Sequence, residues 1–108
     1  MLLRAAASAL AARLDFGIDR ITELQIAVDE ACSRLLAVSA DPTTLRMEFQ
    51  LDEGAITLVG SIDGGRRDDR EFLTEWSRVI LEAIARDISP ELEDGRTTLS
   101  MQVIRASV

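Results

Sequence analysis

The stretch from Asp19 to Ala40 constrains the fold more than any other part of the chain. Its apolar residues recur at spacings of three, four and seven: Ile21, Leu24, Val28 and Leu35, with Ala31, Cys32 and Ser39 alongside. This is the period of an α-helix that buries one face. We therefore predict a helix over 19–40, with Asp19 as its N-cap and Asp41-Pro42 as its end. Glu30 falls nearly opposite the apolar stripe, and Arg34 lies one turn further on.

An alanine-rich segment over residues 2–15 predicts a helix before it. One side of this first helix is apolar, and its members are Leu2, Leu3, Ala6, Leu10 and Leu14. Gly17 suits the residue that follows a helix end, so the connection is short and the two helices should pack as a hairpin. Arg4 and Arg13 point away from the apolar side and are expected to be exposed.

Residues 45–51 carry the clearest strand pattern. Leu45, Met47, Phe49 and Leu51 alternate with Arg46, Glu48 and Gln50, which is typical of a strand with one buried face. A turn over 52–54 leads to a return strand over 55–62, with Ile56, Leu58 and Ile62 on one face. The pattern predicts a β-hairpin.

A polar loop with two adjacent glycines follows over 63–69, and a third helix is predicted from about 70 to 86. Its expected buried stripe consists of Phe72, Trp76, Val79, Ile80, Ala83 and Ile84. The final strand is predicted over 97–105, with Leu99, Met101 and Val103 inward. Residues 88–92 leave room for a short additional strand.

These elements predict a single α+β domain over residues 1–108, a two-layer sandwich with helices on one face of an antiparallel sheet. The net charge of −7 argues against binding to a phosphate backbone, and no apolar run reaches the length of a membrane span. The start of the chain is apolar, but Arg4 interrupts it, so we do not expect a secretory signal. A single cysteine fits a reducing cytoplasm, and the absence of histidine excludes imidazole-dependent sites.

From Leu14 to Ala40 the sequence resembles the anti-sigma-factor serine kinases, regulators built on the histidine-kinase-type ATPase fold. The matching residues are Leu14-Asp15, Asp19, Thr22-Glu23-Leu24 and the run AVDEACS over 27–33. In that family this helix carries the N box, E-A-C-T-N-A, and the divergent actinobacterial members are the most similar. The resemblance implies two partners, a sigma factor and an anti-anti-sigma factor. It also implies that Arg4, on the first helix, touches the sigma factor.

The resemblance assigns family site roles to several residues. Glu30 takes the place of the general base, Asp63 and Gly65 fall in the adenine-binding segment, and Thr97 and Thr98 lie in the last matching stretch. Arg34, however, replaces the asparagine that ligates magnesium, and a guanidinium cannot ligate a metal. The family's lid and its second glycine box have no counterpart. We therefore expect a degenerate nucleotide site without a bound cofactor. The alternative is an active serine/threonine kinase that phosphorylates an anti-anti-sigma factor with Mg-ATP.

Simpler interpretations stay open for each of these features. Glu30 and Arg34 could form a surface ion pair, and 63–65 could be only a turn. Cys32 is best explained as a small buried residue, and Trp76 as helix core or the rim of a partner surface. The three arginines of the loop are best explained as solvated: Arg66, Arg67 and Arg70. The ATPase-like fold could also serve an unrelated partner.

The family begins with an edge strand that this chain lacks. The missing strand would leave a sheet edge unpaired, and we expect a homodimer or an aggregation-prone monomer.

Overall fold

The structure is a computed structural model that describes residues 2–38, 44–63, 73–93 and 95–105. Within these ranges the chain forms, in order, α1 (Leu2–Arg13), α2 (Ile18–Ala37), β1 (Leu45–Asp52), β2 (Ala55–Asp63), α3 (Glu75–Ile84), β3 (Arg86–Glu93) and β4 (Arg96–Ile104). The strands make one antiparallel sheet in the order β1-β2-β4-β3. Helices α2 and α3 pack on the sheet, and α1 packs against α2. The predicted α+β class is confirmed.

The connection between α1 and α2 differs from the prediction. Helix α1 ends at Arg13, and Asp15 adopts a left-handed conformation with φ 61° that reverses the chain. Gly17, not Asp19, is the N-cap of α2, and Asp19 lies in the first turn, where its negative charge favours the helix dipole. The predicted cap was wrong because α2 begins at Ile18, one residue before Asp19.

The core lies between α2 and the inner face of the sheet. The predicted stripe of α2 is confirmed, since Leu24, Val28, Ala31, Cys32 and Leu35 are buried. Ser39 and Ala40 lie outside the described residues. The sheet contributes Ile56, Leu58, Ile62, Leu99, Met101 and Val103. A Cβ atom on Gly60 would lie 2.7 Å from Leu35 Cδ1 and 3.1 Å from Met47 Cε, so this glycine allows α2 to approach β2 closely.

The apolar side predicted for α1 is rotated in the structure. Ala6 is exposed, whereas Ala7 and Ala11 are fully buried against the core. Leu3, Leu10 and Leu14 are half-buried. Ala7 and Ala11 are small, so they let α1 lie close to α2, and the buried side is centred one residue later than predicted.

The hairpin is confirmed: Leu45 to Asp52 pair in register with Ile62 to Ala55, around a turn at Glu53-Gly54. Leu51 differs from the prediction because its side chain is 47% exposed near the end of the edge strand. The additional strand over 88–92 is confirmed as part of β3. A register shift between Arg86 and Ser89 interrupts the pairing of β3 with β4.

Helix α3 is shorter than predicted, and its buried face is different. It begins at Glu75 with Thr74 as N-cap, and the predicted residues 70–72 lie outside the described part of the chain. Its fully buried side chains are Ser77 and Leu81. Trp76 is 70% exposed and Val79 is 56% exposed, so their assignment to the core was wrong. Ala83 is exposed as well, whereas Ile80 and Ile84 are half-buried. Apolar residues occupy more than one face of α3, so spacing alone could not choose between them.

Candidate functional site

The junction of α2 and α3 holds a small network of polar side chains around Glu30. Ser77 Oγ donates a hydrogen bond of 2.6 Å to Glu30 Oε2. Thr74 Oγ1 lies 2.9 Å from Ser77 Oγ, and Ser77 N donates to Thr74 Oγ1 at 3.0 Å as the N-cap bond of α3. The carboxylate at the family's base position is therefore engaged by the neighbouring helix.

The chemistry of the three groups fixes the direction of these bonds. An ionised carboxylate can only accept, so the single hydroxyl proton of Ser77 points to Glu30. The contact between the hydroxyls then requires Thr74 to be the donor and Ser77 the acceptor. Successive bonds of this kind polarise one another. The arrangement gives Glu30 a role in positioning α3, because the first turn of that helix is tied to its side chain.

Arg34 follows Glu30 by one turn of α2 and is half-buried. Residues at this spacing share one side of a helix, so a fixed positive charge accompanies the carboxylate. The 108 residues contain no asparagine that could replace the expected metal ligand elsewhere. In the described part of the chain, no cluster of three or more acidic or cysteine side chains could hold a metal ion.

The described residues that the resemblance assigns to an adenine site lie at the end of β2 and the start of β4. Asp63 Oδ1 is 3.0 Å from Arg96 Nε, in an ion pair whose side chains are 69% and 56% exposed. Ile62 faces the core, so the alternation of the strand directs Asp63 to the helix-free face. Thr97 is buried on the inner face, and Thr98 faces outward. Gly65 lies outside the described residues.

The structure therefore separates the residues that a nucleotide site would need together. Glu30 belongs to the helix layer, whereas Asp63 and Thr98 lie on the opposite face of the sheet. Asp63 borders a small cleft of about 40 Å³, and Arg46 and Arg96 contribute to its lining. These described side chains do not converge on one pocket.

Arg4 lies at the junction of α1 and α2. Its Nε is 3.1 Å from Asp29 Oδ2, and the two side chains are 46% and 40% exposed. A second contact between the helices joins Gln25 to Ser8. The pair is open to solvent, so its contribution to stability is small and the guanidinium stays accessible to a partner.

Sequence reasoning missed Arg20, which ties the start of α2 to the end of β4. Its Nε and Nη2 donate to the carbonyl oxygen of Ile104 at 3.0 and 2.7 Å, and its Nη1 donates to Glu23 at 2.8 Å. The guanidinium also borders a cleft of about 150 Å³ beside the end of α3. The sequence contained an indication of this role. Arg20 falls four residues before Leu24, within the buried arc of α2, where a charged side chain needs hydrogen-bond partners.

Cys32 is buried on α2, and burial, with a smaller effect of Asp29, raises the pKa of its thiol. A raised pKa keeps the thiol protonated and unreactive at neutral pH. The expectation that Cys32 is a small core residue is confirmed by its 3% exposure.

Comparisons with known proteins add no family assignment. No protein-family model matches the chain, and no curated protein matches it. Among the helices that the structure describes, none is both long and apolar enough to cross a membrane.

Proposed function

We propose that this protein is a regulator of the anti-sigma-factor type, which sequesters a sigma factor and releases it when an anti-anti-sigma factor binds. The N-box-like sequence of α2 motivates the proposal, and the α+β architecture is compatible with it. One observation favours binding over catalysis: Glu30 and Asp63 lie on opposite faces of the sheet. The nucleotide site of such a protein is degenerate, and its outer surface carries the activity.

The alternative, a kinase that uses Mg-ATP, rests on Glu30 and Asp63 alone. Phosphoryl transfer depends on placing the metal, the phosphates and the base around one reacting centre. Here Ser77 occupies one oxygen of Glu30, and a guanidinium stands one turn away at Arg34. Neither arrangement favours a metal-bound triphosphate beside residue 30.

The partner surface in this proposal includes Arg4 and its neighbours on α1. The half-exposed Arg4–Asp29 pair gives this surface one charge of each sign. The overall charge of −7 suits a basic partner such as a DNA-binding transcription factor. A sigma factor as partner would place the protein in the cytoplasm.

A pull-down from the native cell with mass spectrometry would identify the sigma factor, and titration with that factor tests the proposal. We expect Arg4→Glu to weaken the complex at least about tenfold, a change typical of losing a contact in the centre of an interface. Arg13→Glu is the matched control, because Arg13 is exposed on the same helix and its reversal should leave affinity nearly unchanged.

Two results would overturn the proposal. One is the absence of a complex with any sigma factor, which would favour an unrelated partner for the same fold. The other is an affinity that Arg4→Glu leaves unchanged.

A further inference from the structure

We infer that the outward surface of α3 docks an amphipathic helix of a partner protein, one whose apolar face is bordered by basic residues. We call this surface the α3 stripe, and it consists of Trp76, Val79 and Ala83. The inference does not depend on the sigma-factor proposal, which concerns Arg4 on the other side of α2.

The α3 stripe is a continuous apolar row that the fold leaves uncovered. Its residues are spaced by three and four, so they lie along one side of the helix, opposite the buried Leu81. Trp76 is 70% exposed and Val79 is 56% exposed. An exposed tryptophan beside a β-branched residue is a common composition for the centre of a protein interface.

Helix α2 lies beside α3, on the side of Ser77. Glu30 contacts Ser77, whereas the earlier residue Arg20 shares a cleft with the later residue Ile84, so the two helices run antiparallel. Ile26, one turn before Glu30 and 41% exposed, therefore lies beside α3 at about the level of Ile80. Exposed apolar residues on a helix are the kind of surface that an amphipathic partner helix covers with its own apolar face.

The charge around the stripe selects the partner. Glu75 precedes Val79 by one turn and Glu82 follows it by three residues, so both carboxylates border the same edge of the stripe. Among the residues that the structure describes, no ion pair involves either of them. Arg78 is exposed behind both carboxylates, so two negative charges and one positive charge leave this edge net acidic. A net acidic edge beside an apolar row attracts a helix that carries lysine or arginine along its border.

The same charges disfavour two other occupants. A second copy docked antiparallel on the stripe would bring the Glu75 and Glu82 edges of both copies to the same side, where they repel. An anionic membrane surface would be repelled by the same edge and by the net charge of −7.

Trp76 is the only tryptophan of the chain, so its fluorescence reports on the stripe without a label. The test uses the full chain and two designed peptides of about 18 residues, long enough to form a helix. The peptides share one leucine face, and lysine borders it in one peptide and glutamate in the other. We expect the lysine peptide to shift Trp76 emission to shorter wavelengths and to bind at least about tenfold more tightly at low salt, as expected for several charge contacts acting together.

Variants test the acidic edge and the apolar row of the stripe separately. Glu75→Lys together with Glu82→Lys should reverse the preference in favour of the glutamate peptide, and Val79→Glu should reduce binding of the lysine peptide at least about tenfold. Leu51→Glu is the matched control, since Leu51 is equally apolar and 47% exposed but lies on the opposite edge strand. It should leave both affinities unchanged.

Three outcomes would overturn the inference. The first is that neither peptide binds, or that both bind equally well. The second is self-association that Val79→Glu abolishes, which would assign the stripe to a second copy. The third is a Trp76 emission shift on lipid vesicles, which would assign it to a membrane surface.

Discussion

Ser77 and Glu30 are 47 positions apart in the chain, yet the hydroxyl of one lies 2.6 Å from the carboxylate of the other. Ser77 is only 1% exposed, so the bond sits at the edge of the core and fixes how α3 lies against α2. Ser77 and the fully buried Leu81 form the inward side of α3, and with that side inward Trp76 lies in solvent.

We expect Ser77→Ala to lower the free energy of unfolding by about 1–2 kcal/mol, because Glu30 then loses its donor in a half-buried position. Glu30→Gln should cost less, since the amide oxygen still accepts from Ser77. Urea denaturation of both variants measures the difference. Ser33→Ala, exposed on α2, should stay within about 0.5 kcal/mol of the parent protein. An equally small effect of Ser77→Ala would contradict the positioning role.

Thr74→Ala tests the cap of α3 separately. The substitution removes the acceptor for Ser77 N, and losing an N-cap typically costs about 1 kcal/mol. Because Thr74 and Ser77 belong to one network, the double variant should lose less than the sum of the two single changes. Additive losses in a double-mutant cycle would show that the two hydroxyls act independently.

Gly60→Ala should destabilise the fold by about 1–3 kcal/mol, the usual cost of forcing extra volume into a packed core. The new Cβ would lie 2.7 Å from Leu35 Cδ1, so α2 or the Leu35 side chain must shift. Ser61→Ala, on the opposite face of β2, is the control and should have little effect. If Gly60→Ala is neutral in thermal or urea unfolding, the close approach of α2 to the sheet is wrong.

Cys32 gives the protein a defined response to alkaline pH. Its thiol has a raised pKa in the folded state, so the unfolded chain loses this proton first and stability falls as pH rises above the unfolded value of about 8.5. The chain has no tyrosine, and all of its basic side chains are arginines, so no other side chain titrates between that pH and the arginine range. We expect urea midpoints to decline above that pH in the parent protein and to stay flat in Cys32→Ala. Parallel curves for the two proteins would refute the assignment.

In the described part of the chain, β1 and β3 are the edges of the sheet, and only β3 carries features that discourage pairing with another strand. Pro90 and the register shift interrupt β3, whereas β1 runs from Leu45 to Asp52 without a bulge. The expected homodimer or aggregation should therefore proceed through β1, and Leu51→Lys should suppress it. Light scattering over a concentration series measures the mass. A monomer at every concentration would contradict this expectation.

The sequence predicted an element correctly where its pattern of apolar and polar residues allows one interpretation. Alternation over 45–51, followed by a turn and a return strand, predicted the hairpin, and the period of α2 pointed to one buried face; both predictions are confirmed. Helix α3 was misassigned because Trp76 and Val79 are apolar, whereas the buried position belongs to Ser77, whose polarity is satisfied by a residue distant in sequence. Spacing carries no information about such a partner. The separation of Glu30 from Asp63 likewise depends on which sheet face residue 63 takes.

Isothermal titration calorimetry with Mg-ATP at millimolar concentration tests whether Glu30 belongs to a working nucleotide site. We propose that it does not, because Ser77 engages Glu30 and Asp63 lies across the sheet. We expect no saturable heat, in the parent protein or in Glu30→Gln. Saturable binding of Mg-ATP to the parent protein would contradict this expectation and favour the kinase alternative.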